Sequence, residues 1–397
     1  MNRPDKNQEV CGTAAVKGKN VYVRTFGCQM NVRDSEVIGG LLTTDNYKLT
    51  TDPSEADVVI FNTCSVRQHA EDKVWSEVGR VEKLSTKPII GVVGCMANNY
   101  REAIFERAPA VDFIVGTADI AKIPAIIKEV SRHKKQPLFK KKIYETDGDL
   151  REDEIYHTGF HLDKSHAFVV ISEGCENYCA YCVVPYVRGK LRSRSFEDIL
   201  KEIKEDVKAG ISSVTLLGQN VNAYQFKAKG SKPKVGFPEL LAMVNGVRGL
   251  KEFGFVTSHP KDTSIELFET MQKCEKLRKY LHLPIQSGSD RILKAMKRGY
   301  TRKDYLKLAK DYRKIVKSGA LTTDIIVGFP GETNEDFQDT YDLVKEVKFN
   351  AAFIFKYSVR PGTEAASLVD DVPKEEKERR HALILELQKK ISRQKRC

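Results

Sequence analysis

The sequence predicts two successive α/β domains, each built on a parallel β-sheet. Short β-rich apolar runs alternate with helical stretches along the chain, and this alternation is interrupted once, at about residues 131–166. Strands that alternate with helices form parallel sheets with crossover connections. At 397 residues the chain is long for one hydrophobic core, so two or more domains are expected.

Nine apolar runs justify the individual strands. Three lie in the first third of the chain: VYVRTF, DVVIFNT and PIIGVVG. Six follow from residue 167: AFVVISEG, SVTLLGQN, EFGFVTS, YLHLPIQ, LTTDIIVGF and AAFIFKYS. Helical patterns separate them, such as SFEDILKEIKEDVKAG, which stops on Gly210. The expected organisation is a disordered tail at 1–20, an N-terminal α/β domain at 21–130, a basic linker at 131–166, a second α/β domain at 167–373 and a basic helix at 374–397.

Composition narrows the class of protein. Hydrophobic content of 41% and charged content of 30% are typical of a soluble globular chain. The excess of 12 basic over acidic residues suits a polyanionic partner such as nucleic acid, although a solvated basic surface remains an alternative. No apolar run approaches the roughly 20 residues of a membrane span, and the first twenty residues lack the apolar region of a signal peptide. We therefore expect a cytosolic protein without membrane contact.

The nine cysteines point to metal chemistry rather than disulfides. Their number is odd and nothing marks secretion, so a disulfide framework is not expected. Cys11 and Cys397 lie in the expected tails, and Cys274 lies in the helix-like stretch SIELFETMQKCEKL. We interpret these three as incidental thiols, which leaves two sets of three.

The first set is the compact motif Cys175, Cys179 and Cys182, which follows the first strand of the second domain. Three thiolates do not fill a structural zinc site, which needs four ligands, although His161 or His166 could complete one. A four-iron cluster held by three thiolates instead leaves one iron open to a non-protein ligand. This CxxxCxxC spacing, with an aromatic residue before the third cysteine, resembles the radical S-adenosylmethionine superfamily.

That resemblance implies a partial (β/α)6 barrel, and the six predicted strands match its count. It also implies that the open iron binds S-adenosylmethionine, and that loops at the carboxyl ends of the strands hold the rest of this cofactor. GFPGET, residues 328–333, would close the fifth strand in one such turn. Each polar loop residue could equally be an ordinary loop cap. The candidate cofactor contacts are Gln219, Asn220, Ser258, Gln286, Ser287 and Asp324.

The second set is Cys28, Cys64 and Cys95, each placed where a predicted strand ends and a helix begins. The carboxyl ends of parallel strands lie along one edge of a sheet, so widely spaced residues can converge there. Helix N-termini carry partial positive charge, which suits an anionic cluster. The sequence therefore predicts a second iron–sulfur cluster, with inert core thiols as the alternative.

Four segments resemble the methylthiotransferases, and within them the MiaB type: TFGCQMNVRDSE, NTCSVRQHAEDKV, GCMAN and GCENYCAYCVVPYVRGKLRSR. The resemblance runs from about residue 20 to 390. It implies an enzyme with two 4Fe–4S clusters, one that generates a radical from S-adenosylmethionine and an auxiliary one that carries sulfur. It also implies, as substrate, isopentenyladenosine in the anticodon loop of tRNA, an electron donor such as flavodoxin or ferredoxin, and a monomeric enzyme. No residue is nominated as a catalytic acid or base.

One departure from the family is visible. Its members usually end with a small β-rich RNA-binding domain after the helix predicted at ERRHALILELQKKISR, but this sequence stops at Cys397. Either the sequence is truncated or RNA binding falls on the two remaining domains. The alternatives in function are a methylthiotransferase acting on threonylcarbamoyl-adenosine in tRNA and, in a different class, a non-catalytic zinc-stabilised RNA-binding protein.

Overall fold

The computed structural model describes residues 18–65, 68–134, 142–148, 151–227 and 234–395. Cys11, Cys397 and nearly all of the tail expected at 1–20 lie outside these ranges, as does much of the basic stretch SRHKKQPLFKKK. No helix among the described residues is long and apolar enough to cross a membrane.

The first domain is a six-stranded parallel sheet in the order β2-β1-β3-β4-β5-β6. Its elements in chain order are β1 Asn20–Thr25, α1 Gln29–Thr44, β2 Lys48–Leu49, β3 Val58–Thr63, α2 Gln68–Glu82, β4 Ile89–Gly94, α3 Cys95–Tyr100, α4 Ala103–Arg107, β5 Phe113–Val115, α5 Ile123–Lys134 and β6 Ile143–Glu145.

Helices cover both faces of this sheet, which explains why β3 as far as Phe61 and all of β4 are apolar rather than alternating. Val58 and Ile60 pack in one core with residues of α1 and α5. Val59 and Phe61 point the other way and pack with residues of α2 and α3. The sheet is therefore buried on both sides, and only its edges are left to bind other groups.

The second domain contains two three-stranded parallel sheets, β7-β10-β13 and β14-β15-β16. One parallel bridge, between Phe253 and Leu277, connects them, and a single hydrophobic core extends across both. Its elements are β7 His166–Val170, β8 Ser172–Glu173, α6 Val184–Arg188, β9 Arg192–Ser193, α7 Phe196–Lys208, β10 Ser213–Leu217, β11 Gln225–Phe226, β12 Val235–Gly236, α8 Phe237–Asn245, β13 Glu252–Phe255, α9 Ile265–Lys273, β14 Tyr280–His282, α10 Asp290–Ala295, α11 Arg302–Ile315, β15 Ala320–Val327, α12 Asn334–Val347, β16 Ala351–Lys356 and α13 Lys374–Gln394.

All nine predicted apolar runs contain strands, and the alternation with helices is confirmed. The helix predicted to stop on Gly210 is α7, capped at its start by Ser195 and followed by Gly210 at φ +101°. Six strands of two or three residues were not predicted, because such short strands carry no periodic pattern. One of them, β6, lies inside the stretch expected to be a linker and extends the first sheet.

Buried ion pairs join the two domains. Arg33 of α1 bonds Glu202 of α7 at 3.0 Å, and Asp34 of α1 bonds Arg188 of α6 at 2.7 Å. Asp34 also bonds Arg151 at 2.6 Å, and these side chains are almost completely buried. Helix α1, which begins directly after Cys28, is thereby held against the second domain.

Candidate active site

The compact cysteine motif lies in a loop that folds back on itself. The loop begins at Gly174, whose φ is +76°, and a Cβ atom at this position would overlap the carbonyl oxygen of Lys190. The backbone N–H of Cys175 donates to the carbonyl of Gly189 at 3.1 Å, which ties the two ends of the loop together. Only glycine fits at such a close approach of two backbones.

The three thiols of this loop lie near one another. Burial and the nearby Cys179 and Cys175 raise the pKa of the Cys182 thiol to about 12. Burial likewise raises the pKa of Cys175. Burial thus favours the protonated forms of Cys175 and Cys182, whereas a bound metal would stabilise their thiolates.

The described residues contain no group of three or more His, Cys, Asp and Glu side chains around one metal position. A cuboidal 4Fe–4S cluster does not need such a group, because each thiolate binds a different iron. The two histidines considered as zinc ligands are engaged elsewhere. His161 bonds Asp206 at 2.7 Å, and His166 bonds Ser213 at 3.0 Å. The donor set of the loop therefore fits a cluster better than a four-ligand zinc ion.

Two residues outside the six candidate cofactor contacts lie against Cys179. The guanidinium of Arg298 donates to its Sγ at 3.2 Å, and the Nε2 of His259 lies 3.9 Å from the same sulfur. Burial and the charge of Arg298 lower the pKa of His259 to about 2, so this imidazole is neutral. Arg298 is 119 positions from Cys179, and no local pattern in the sequence connects them.

The second triad lies along the edge of the first sheet, as predicted. Cys28 precedes α1, Cys64 follows β3, and Cys95 opens α3 directly after β4. A Cβ atom on Gly27 would overlap that of Cys64 and lie 3.1 Å from its Sγ, which shows how closely the first two loops approach. A hydrogen bond from the Cys64 thiol lowers the pKa of Cys28 to about 6.

An interlocked pair of amides holds these two loops together. The Nδ2 of Asn31 donates to Asn62 Oδ1 at 3.1 Å and to the carbonyl of Thr63 at 2.9 Å. In return, the Nδ2 of Asn62 donates to the carbonyl of Asn31 at 2.8 Å and to Ser35 Oγ at 2.9 Å. Both asparagines are fully buried, so each bond is made where water cannot replace it. This explains the asparagines in the GCQMN and NTC segments.

The two triads are neighbours. Val183, which directly follows Cys182, packs together with Val187 of α6 against Cys95. Burial raises the pKa of Cys95, and the adjacent guanidinium of Arg188 partly offsets this. A stretch of seven residues, from 182 to 188, therefore connects a ligand of one triad with the surroundings of the other.

A cavity of about 1010 Å³ opens beside the compact loop. Tyr181 and Cys182 form part of its wall, together with Gln286, which follows β14, and Asp324 of β15. The remaining lining includes apolar side chains from β16, five basic or imidazole groups, and Asp370, which pairs with one of them, Lys377, at 2.5 Å. The five groups are Lys356, Arg360, Lys374, Lys377 and His381.

The six predicted cofactor contacts fall into two groups. Three have a buried polar atom without a partner among the described residues: Asn220 Oδ1, Ser258 Oγ and Gln286 Oε1. Buried polar atoms are normally hydrogen-bonded, so these atoms indicate a missing ligand or water. Gln286 also adopts φ +71°, an uncommon conformation for a residue other than glycine.

The other three side chains already have partners. Gln219 accepts a hydrogen bond from the backbone N–H of Gly174 at 2.5 Å and so supports the cysteine loop. Ser287 bonds Thr340 of α12 at 3.3 Å. Asp324 lies 3.3 Å from His282 and remains partly exposed to the cavity. The structure thus brings Gln286 and Asp324 together beside Cys182, and engages Ser287 with α12.

Comparison with known proteins agrees with this geometry. Two family models match the chain: the uncharacterized protein family UPF0004 over residues 20–116, and the Radical SAM superfamily over residues 169–344. Among solved structures, the radical S-adenosylmethionine methyltransferase TsrM from Kitasatospora setae superposes with a TM-score of 0.61 at 13% identity. The matched region is 88% of this chain and 77% of the TsrM chain. The cobalamin-dependent S-adenosylmethionine radical enzyme OxsB has a TM-score of 0.53 at 14% identity, over 95% of this chain and 56% of its own. The fold is therefore that of radical S-adenosylmethionine proteins.

Curated relatives narrow this class. The tRNA-2-methylthio-N(6)-dimethylallyladenosine synthase of Clostridium tetani is 44% identical over 391 residues, which are 96% of this chain and 82% of that protein. Proteins of the same name from Carboxydothermus hydrogenoformans and Moorella thermoacetica are also 44% identical, over 94% and 95% of this chain and 84% of each relative. This chain belongs to the family of tRNA-2-methylthio-N(6)-dimethylallyladenosine synthases.

Proposed function

We propose that the protein is a tRNA methylthiotransferase that inserts a methylthio group at C2 of isopentenyladenosine beside the anticodon. The contact of Val183 and Val187 with Cys95 carries this proposal, because it makes the two cysteine triads neighbours. An enzyme that activates a C–H bond at one cluster and delivers sulfur from another must bring both to the same base. The identity of 44% with the methylthiotransferases supports the same conclusion.

In this proposal the two triads have different roles. Cys175, Cys179 and Cys182 hold the 4Fe–4S cluster whose open iron binds S-adenosylmethionine, while Cys28, Cys64 and Cys95 hold an auxiliary 4Fe–4S cluster. When bound, these groups supply radical chemistry and sulfur, which no side-chain acid, base or nucleophile provides for an unactivated adenine C–H bond. The protein positions the groups and the base.

The cavity beside Cys182 is the proposed place for cofactor and base. Gln286 and Asp324 line it and are the favoured contacts of S-adenosylmethionine, and the unpartnered atoms of Asn220 and Ser258 make these two further candidates. The strand order supports a further detail, that the two three-stranded sheets form the halves of one six-stranded partial barrel around this site. The basic groups at the cavity suit the phosphates of an RNA loop.

Three proposals about the cellular setting follow. An unstacked base in the single-stranded anticodon loop of tRNA enters this cavity more easily than a base within a duplex. An external one-electron donor such as flavodoxin or ferredoxin reduces the enzyme. We also expect a monomer that acts in the cytosol, where tRNA is found.

Mass spectrometry of tRNA nucleosides from a strain lacking this gene tests the substrate. We expect isopentenyladenosine to accumulate without its methylthio form, and the intact gene to restore the product. Persistence of the methylthio nucleoside together with loss of methylthio-threonylcarbamoyl-adenosine would instead assign the enzyme to that other substrate. Purification without oxygen tests the class: iron with acid-labile sulfide supports the enzyme, and stoichiometric zinc supports a non-catalytic RNA-binding protein.

A further inference from the structure

Arg298 places a positive charge against one particular cysteine of the compact triad. Its Nη1 donates to Cys179 Sγ at 3.2 Å and to the hydroxyl of Tyr181, also at 3.2 Å. Its Nη2 donates to the carbonyl of Pro284 at 2.9 Å, and its Nε donates to the hydroxyl of Tyr300 at 2.9 Å. The residue is only 4% exposed, so the planar guanidinium is fixed in one orientation away from water.

The charge of Arg298 is not balanced by a carboxylate of the described residues. Among the described residues its hydrogen-bond partners are the thiol, two phenol groups and a carbonyl named above, and none of them is a carboxylate. Two other arginines with buried side chains are paired with carboxylates: Arg188 with Asp34 at 2.7 Å, and Arg380 with Glu332 at 2.7 Å. A buried unpaired charge is costly, so a negative partner is expected at Cys179.

A thiolate-bound iron–sulfur cluster is such a partner, and its reduction potential depends on hydrogen bonds to its sulfurs and on nearby charge. We propose that Arg298 is a positioning residue that raises the reduction potential of the cluster held by Cys175, Cys179 and Cys182. One electron from an external one-electron donor adds a negative charge to the site without a bond or proton change. The fixed guanidinium stabilises that added charge. This inference depends on the proposed function, because it needs a cluster at the triad.

His259 adds a weaker contribution of the same sign. Its Nδ1 accepts a hydrogen bond from the backbone N–H of Lys261 at 3.2 Å, so in the neutral ring the proton is on Nε2. That nitrogen lies 3.9 Å from Cys179 Sγ. Two N–H groups therefore point at one sulfur, and Arg298 is the closer and the charged one.

The test is a redox titration of the complete two-cluster enzyme, followed by electron paramagnetic resonance, for wild type and Arg298→Gln. The relevant cluster is identified as the one whose signal changes when S-adenosylmethionine is added. Arg298→Gln removes the charge and keeps a hydrogen-bond donor. The midpoint potential of its cluster should be at least about 59 mV lower than in the wild type. For a one-electron couple this corresponds to a tenfold smaller equilibrium constant for reduction.

Two further variants separate charge from other effects. Arg298→Lys keeps the charge and should lower the midpoint by less than half as much as Arg298→Gln. Arg278→Gln removes a charge from the same domain, but Arg278 precedes β14 at the amino ends of the strands and bonds Thr215 at 2.7 Å. This control should leave the midpoint unchanged.

A further measurement uses only the wild-type enzyme, so it can be made even if the Arg298→Gln variant fails to bind a cluster. Wild-type enzyme labelled with ¹⁵N-arginine should show a nitrogen coupling at the reduced cluster that responds to S-adenosylmethionine. Absence of this coupling overturns the proposal, as does an unchanged midpoint in Arg298→Gln. An unchanged midpoint with weaker binding of S-adenosylmethionine would assign Arg298 to the cofactor. If neither cluster signal responds to S-adenosylmethionine, it is the proposed function that fails.

Discussion

The two cysteine triads of this protein are assembled by different routes. Cys175, Cys179 and Cys182 belong to one loop that is closed on itself between Gly174 and Lys190. Cys28, Cys64 and Cys95 come from three separate β/α connections of the first sheet. The compact triad therefore depends on the conformation of a single loop, whereas the dispersed triad depends on the register of three parallel strands and on the amide pair of Asn31 and Asn62.

The buried charges around the triads differ in the same way. Beside the dispersed triad, Arg188 is neutralised by Asp34 of the other domain. Beside the compact triad, Arg298 has no carboxylate among its hydrogen-bond partners in the described residues. The first arginine mainly joins domains, since breaking a buried pair is strongly destabilising. The charge of Arg298, in contrast, is available to act on the group that Cys179 binds.

Removing one triad at a time should have the largest effect and should separate their roles. Replacing Cys28, Cys64 and Cys95 by Ala should lower iron from about eight to about four atoms per chain, because each cuboidal cluster holds four. This variant should still cleave S-adenosylmethionine to 5′-deoxyadenosine under dithionite, but form no methylthio product. The converse triple variant at Cys175, Cys179 and Cys182 should lose cleavage and keep about half of the iron.

Iron analysis and product assays of both triple variants decide this comparison. If the variant at Cys28, Cys64 and Cys95 kept its full iron content and its methylthiolation, the auxiliary cluster would not exist. Those cysteines would then be core thiols, which was the alternative interpretation of the sequence.

Single glycine substitutions should disable each triad with less damage to the rest of the protein. In Gly174→Ala the new Cβ meets the carbonyl of Lys190, and in Gly27→Ala it meets Cys64. Both glycines also have positive φ, +76° and +127°, so strain adds to the overlap. We expect Gly174→Ala to lose cleavage of S-adenosylmethionine, and Gly27→Ala to lose only the methylthio product.

Gly210→Ala is the matched control. Gly210 has φ +101°, but no heavy atom of the described residues lies within 4 Å of its Cβ position. This variant should lose roughly 1–3 kcal/mol of unfolding free energy from backbone strain and keep both activities. Equal iron content in all three glycine variants would contradict a role of close loop packing in cluster binding.

Alkylation of the cluster-free protein should show the smallest of these effects, a difference in reactivity between single thiols of the two triads. The pKa of Cys28 is lowered to about 6 by its hydrogen bond with Cys64, while burial raises that of Cys182 to about 12. The thiolate is the reactive form, so the iodoacetamide rate of Cys28 should rise through pH 6 and level off above pH 7. The rate of Cys182 should still be rising at pH 9. Peptide mass spectrometry measures both, and at pH 7 we expect Cys28 to react at least tenfold faster. Equal rates would show that the triads share one environment.

Local sequence pattern was sufficient to predict the compact triad and the strand ends at which the cysteines of the dispersed triad lie. The CxxxCxxC spacing is a property of eight consecutive residues, and the apolar runs before Cys28, Cys64 and Cys95 are themselves strands. Parallel pairing of β1, β3 and β4 then brings these cysteines to one edge, since consecutive β/α units align their carboxyl ends. Short strands such as β6 were not predicted, because three residues are too few to show a hydrophobic periodicity.

Sequence pattern could not supply contacts between distant segments. Arg298 reaches Cys179 across 119 positions, and Asn31 meets Asn62 across 31. Ser287 and Gln286 are adjacent in sequence, yet Ser287 bonds α12 while Gln286 faces the cavity. The sequence alone identified the candidate iron ligands, because residue type, the CxxxCxxC spacing and the strand ends that precede Cys28, Cys64 and Cys95 are local features. Only the tertiary structure decided which charges and amides surround the cysteines, because those contacts depend on how the two domains and their crossover helices pack.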